Sequence, residues 1–195
     1  EAREKTMALF TEPQAEDVYQ ITDNFDYARG SFTAGYIDLD GKATHTRAMV
    51  YVRNKFWVVV DRMTTDRPRS IQGLWHYHPD CTVEIDGTTV TSTDTDKGNV
   101  RITPIGDTHW DIEMTQGQEE PFIQGWYSRE YNHKAASPCV TYRTNIDGDA
   151  IFAWVITPGK GIVPNVNTEL LAVDAVGVTV KVDEITVHIP IKNGQ

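Results

Sequence analysis

The apolar residues of this chain recur at period two in short runs, and turn-forming pairs interrupt the runs before a helical spacing can develop. A chain patterned this way has to bury its apolar residues on the faces of sheets. Strands are expected over Thr46 to Val52, Phe56 to Met63, Gln72 to His78, Thr82 to Ile85, Thr89 to Ser92, Val100 to Pro104 and Trp110 to Met114. They continue over Gln124 to Ser128, Cys139 to Thr144, Ala150 to Thr157, Leu170 to Ala175, Gly177 to Val182 and Glu184 to Pro190. Asp40-Gly41, Asp86-Gly87, Asp147-Gly148, Pro158-Gly159 and Asn193-Gly194 supply the turns. Only a short stretch around Glu16 to Ile21 reads as a helix. The fold class that follows is all-β, an antiparallel β-sandwich of about a dozen short strands. Residues 1–14 read as a polar lead-in segment and residues 15–195 as the sandwich domain, with no repeat or Pro/Ser-rich linker dividing it.

Composition narrows the functions open to such a fold. A formal charge of −10, without a clustered basic stripe, argues against general binding of nucleic acid. The longest apolar run, Phe56-Trp57-Val58-Val59-Val60, is far shorter than the roughly 20 residues of a helical membrane span. Cys81 and Cys139 are too few for a disulfide framework, and the charged start Glu1-Ala2-Arg3-Glu4-Lys5 is not a secretory signal. No nucleophile elbow, dinucleotide turn or phosphate-binding glycine loop occurs.

Histidine is the informative residue type. In Trp75-His76-Tyr77-His78-Pro79 the strand alternation puts His76 and His78 on one side and Trp75 and Tyr77 on the other, a spacing suited to metal ligation. A further ligand is needed, and Asp61, ending the run Trp57 to Val60, is a charge that requires a partner. With a three-residue hairpin loop at Arg53-Asn54-Lys55, Val52 opposes Phe56 and Arg47 opposes Asp61, so that His45, Arg47 and Asp61 share a face; a two-residue loop would turn one strand over. The cluster then has two readings. Either imidazoles and the Asp61 carboxylate hold a cation, for which zinc fits the donor set, or Asp61 pairs with Arg47 or Arg62 and the histidines are sheet residues. His109, His133 and His188 read as structural or solvated. Among the aromatic residues, Trp57 and Trp154 belong in a core, whereas Trp75, Tyr77, Trp110, Trp126, Tyr127 and Tyr131 could present flat faces to sugar rings.

The segments His45-Thr46-Arg47, Val50-Tyr51-Val52, Trp57-Val58-Val59-Val60-Asp61-Arg62 and Leu74-Trp75-His76-Tyr77-His78-Pro79, with Gly125-Trp126-Tyr127-Ser128, Tyr131 and Ser137-Pro138, together resemble the C-terminal β-domain of heparinase II/III-like polysaccharide lyases. The resemblance spans roughly residues 36 to 157. It implies a secreted or periplasmic bacterial enzyme that cleaves uronic-acid glycans by β-elimination, with most of the catalytic groups on an N-terminal α/α toroid. This chain has no long helical segment to form the toroid and would be inactive alone. The resemblance also implies a structural metal, for which zinc fits the donor set, on His45, Asp61 and one of His76 or His78, and it implies His76 and Tyr77 as the groups lent to the active-site cleft. Trp126, Tyr127 and Arg129 are the candidate contacts to an acidic polysaccharide. Because the net charge is acidic, Arg62, Arg67, Arg69, Arg129, Lys134 and Arg143 would have to gather locally to meet a sulfated chain or leave that work to the toroid, and a carboxylated, unsulfated glycan is an equal expectation. A non-catalytic carbohydrate-binding module is the alternative from another class.

Overall fold

The computed structural model describes residues 18–33, 36 and 39–191, which hold sixteen strands and no helix. In chain order these are β1 (Val18–Ile21), β2 (Phe25–Phe32), β3 (Ala43–Val52), β4 (Phe56–Thr65), β5 (Arg69–His76), β6 (Val83–Asp86), β7 (Thr89–Ser92) and β8 (Gly98–Ile105). They are followed by β9 (Asp111–Thr115), β10 (Trp126–Tyr127), β11 (Ala135–Ala136), β12 (Cys139–Ile146), β13 (Ala150–Lys160), β14 (Thr168–Val173), β15 (Gly177–Val182) and β16 (Ile185–Pro190). The expected helix around Glu16 to Ile21 is a strand where it is described, at Val18–Ile21; residues 16 and 17, like the lead-in segment 1–14, lie outside the described residues. Four residues are too few for apolar spacing to distinguish the two conformations.

An antiparallel sheet of eight strands, ordered β1-β2-β3-β4-β13-β8-β7-β6, forms the middle of the molecule. Its edges are β6 and β1, whose Tyr19 and Ile21 are 75% and 71% exposed. A sheet ordered β14-β15-β16 covers one face and a sheet ordered β5-β12-β9 the other, so the sandwich has three layers. β4 shows why. Val58 and Val60 pack with Val178, Val180 and Ile189 in one core, while Val59 packs with Val140, Tyr142 and Trp154 in the other. An unbroken Val-Val-Val run is what a strand covered on both faces requires.

The β3–β4 hairpin sets the register that matters for function. Val52 pairs with Phe56 and Arg47 with Asp61 across the three-residue turn Arg53-Asn54-Lys55. Asn54 takes φ = 60°, the left-handed conformation that this turn needs and that Asn tolerates better than most residues. Odd-numbered residues of β3 and β4 consequently face the β5-β12-β9 layer. No residue of β1, β2 or β3 enters the core beneath that layer, so His45, Arg47 and Asp61 stand at its margin.

Candidate functional site

Asp61 is 7% exposed and accepts from three donors. Arg47 Nε donates to Oδ1 at 2.7 Å and Arg47 Nη2 to Oδ2 at 2.9 Å, while His45 Nε2 lies 2.7 Å from Oδ1. Burial alone would raise the pKa of this carboxyl, but the hydrogen bonds from His45 and Arg47 and the Arg47 charge outweigh it and hold the pKa below its ordinary value. Hydrogen bonding to Asp61 raises the pKa of Arg47 in return. Arg62, the next residue along β4, points to the other face and donates from Nη1 to the Ile191 carbonyl at 3.0 Å. Of the two arginines that could have paired with Asp61, alternation selects Arg47.

The trio borders a cavity of about 310 Å³ between the middle sheet and β5, lined also by Tyr36, Arg69, Gly73, Trp110 and Trp154. Burial, with the Asp61 charge second, raises the Tyr36 phenol pKa. Arg69 is held in place by donating to Thr65 Oγ1, Asp66 Oδ1 and the Asp40 carbonyl. Tyr36 belongs to the β2–β3 connection, and no pattern in the sequence points to it.

His76 and His78 stand elsewhere. Along β5 the odd positions turn inward and the even ones outward. Trp75 and Tyr77 therefore join the core, while His76 and His78 are exposed on the outer side. His76 pairs across the sheet with Cys139, its Nε2 3.8 Å from the Cys139 thiol, and the His78 ring lies 5.3 Å from that of Tyr127. The alternation expected of Trp75-His76-Tyr77-His78 is present, but the layer it belongs to separates both histidines from Asp61. Among the described residues no group of three or more His, Cys, Asp or Glu could hold a metal ion. The donors around Asp61 do not fit the implied zinc either, because two of its three contacts come from a guanidinium. Tyr77, expected at the cleft, is only 7% exposed, its hydroxyl finds no partner among the described residues, and burial pushes its pKa far up. It is placed as a core residue.

The polysaccharide contacts divide as well. Tyr127 and Arg129 share a surface hollow of about 340 Å³ with His78, Asp80, Glu130 and His133. Trp126 is committed to its own loop: its indole nitrogen donates to the Gln118 carbonyl at 2.8 Å, and Lys134 Nζ sits 3.9 Å from the ring centre while reaching Glu119 at 2.7 Å. Gly125, just before it, has φ = 73°, and a Cβ there would lie 2.8 Å from both Gln116 Cα and the Thr115 carbonyl oxygen. Trp110 and Trp154 are in the core, Trp57 is half-buried and stacked on Tyr51 at 4.6 Å, and Tyr131 is exposed. Among the basic residues, Arg67 and Arg69 meet at Asp66, with Arg67 pairing also to Asp40, while Lys134 pairs with Glu119 and Arg143 with Glu113.

Residues 9–163, well over half the chain, match the family described as heparinase II/III-like, C-terminal. The chain belongs to that family. No curated protein matches it. Among solved structures, heparan sulfate lyase HepC from Pedobacter heparinus superposes with a TM-score of 0.71 at 13% identity, over 94% of this chain and 28% of that one. A heparinase III, the BT4657 gene product, gives 0.69 at 17% identity over 91% of this chain and 28% of its own. A further heparinase III gives 0.69 at 14% identity over 89% and 26%. At these identities the likeness is one of fold, and this heparinase II/III-like domain spans little more than a quarter of the length of the structures it matches.

Proposed function

We propose that this chain is the terminal β-domain of a polysaccharide lyase acting on uronic-acid glycans, and that it forms one wall of a cleft whose other side is an N-terminal α/α toroid. The observation that carries the reading is the family match over residues 9–163. The lyases and heparinases that share the fold are more than three times as long as this chain, which leaves room for a second catalytic partner domain. In the β-elimination such an enzyme performs, a base takes the proton at C5 of the uronate, the C4–O bond breaks as the C4=C5 double bond forms, and an acid delivers a proton to the departing oxygen. Of the two groups the resemblance suggested for the cleft, His76 stands on an open surface and Tyr77 does not. His76 is the side chain this domain could lend. With Arg69, Lys134 and Arg143 each paired to a carboxylate and a formal charge of −10, the surface suits a carboxylated glycan better than a heavily sulfated one.

The test joins the domain to its toroid. The complete enzyme should release unsaturated uronate product, followed by its ultraviolet absorbance, and the 195-residue chain should release none. His76→Ala in the complete enzyme should lower kcat by about 10²-fold or more if the imidazole transfers a proton. Robust turnover by the isolated chain would refute the division of labour.

The hollow at Tyr127 favours a second reading, a carbohydrate-binding module with no part in the chemistry. Glycan affinity of the isolated chain, lost on Tyr127→Ala and accompanied by an unchanged kcat for His76→Ala in the complete enzyme, would decide for it. An export route to the periplasm or the exterior goes with either reading, and cell fractionation tests it.

A further inference from the structure

The zinc site implied by the resemblance would draw its ligands from three strands, His45 on β3, Asp61 on β4 and a histidine at the end of β5. The structure ties the same three strands by other means. Arg47 on β3 clamps both Asp61 oxygens on β4, at 2.7 and 2.9 Å, and its guanidinium carbon lies 5.9 Å from the ring centre of Trp75 on β5. His76 cannot complete a metal set with Asp61, because it projects from the far side of the strand that carries Trp75.

We propose that Arg47 stands where the metal would stand: its guanidinium is the cation that neutralises buried Asp61 and links β3, β4 and β5, and this domain assembles without zinc. A planar guanidinium matches a carboxylate with two parallel hydrogen bonds and needs no other protein ligand to do so, whereas a structural zinc is held by about four. Its remaining flat face is available to Trp75, a contact of cation and aromatic ring that also closes the margin of the second core. His45 then serves as a further donor to Oδ1, holding the carboxylate in register with the fork. The proposal rests on this geometry and is independent of the lyase reading.

Both hydrophobic cores and the whole trio lie within residues 18–191, so the purified 195-residue chain is the material to test. Elemental analysis should find far less than one zinc per chain, and the melting temperature should be the same with a chelator or with added zinc, since a ligand that does not bind the native state cannot stabilise it. Stoichiometric zinc, or a melting temperature that falls on chelation, overturns the proposal. Arg47→Met keeps the length of the stem and removes the cation; it should melt about 5 °C lower, a modest figure because the Arg47 side chain is partly exposed. A melting temperature equal to the parent's would show that the guanidinium is not what neutralises Asp61. Should that variant not fold, the zinc content of the parent still decides. Arg47→His supplies the missing type of ligand beside His45 and opposite Asp61, and it should acquire zinc that a chelator removes, with a rise in melting temperature on adding the ion. Failure of this variant to take up zinc would show that the guanidinium does not occupy a metal's position.

Discussion

Asp61 illustrates how a single buried carboxylate organises the residues about it. Its pKa is held below the ordinary carboxylate value, which means that the folded state binds the proton less readily than the unfolded one. The stability this provides is fully present above the unfolded value, about pH 4, and is lost as pH falls through the lower folded value. Denaturant midpoints measured from pH 7 down to pH 3 should therefore fall more steeply for the parent chain than for Asp61→Asn, which is less stable at neutral pH and has no proton to gain there. Parallel profiles would sever the link between Asp61 and acid sensitivity. Much of this arrangement was legible in the sequence. The spacing between Arg47 and Asp61 and a three-residue loop place them opposite each other, and a charge at the end of a valine run demands a partner. What the sequence did not reveal was that the inward side of β5 is the Trp75 side. Alternation says which residues of one strand travel together, but not which of its two faces meets the next layer.

At the scale of elements, the β3–β4 hairpin holds the site because its turn admits one register. Asn54 lies in the left-handed region, where a β-branched side chain is strained. Asn54→Val should cost about 1–2 kcal/mol in denaturant unfolding, whereas Asn54→Gly should be close to neutral. Equal effects of the two would mean that the turn does not require this conformation. The strands best forecast, Thr89–Ser92 and Gly177–Val182, have clean alternation and flanking turn residues. β2 went unforeseen because Phe25-Asp26-Tyr27-Ala28-Arg29-Gly30-Ser31-Phe32 loses its alternation after Tyr27 and mixes charge and glycine into the run, and its place is fixed by pairing with β3. The short ribbon β10–β11 keeps its position through Gly125, whose close approach to Gln116 and Thr115 is a tertiary fact that local sequence does not contain.

Considered as a whole, the molecule is a sheet with a cover on each side, and its stability should be graded accordingly. Amide exchange should be slowest in β4 and β13, where side chains are buried on both faces, and fastest in β1 and the β10–β11 ribbon. Uniform protection across the three layers would contradict this. The sandwich itself followed from the period of two, yet the third layer did not, because β14 to β16 meet the middle sheet through contacts distant in sequence. The open margin at β1 matters in practice. Tyr19 and Ile21 flank a row of peptide groups that no strand among the described residues pairs on the outer side, which makes β1 a template for a further strand of any chain that can lie alongside it. Concentrated preparations of the domain should self-associate there first, and a lysine placed at Tyr19 should keep them dispersed.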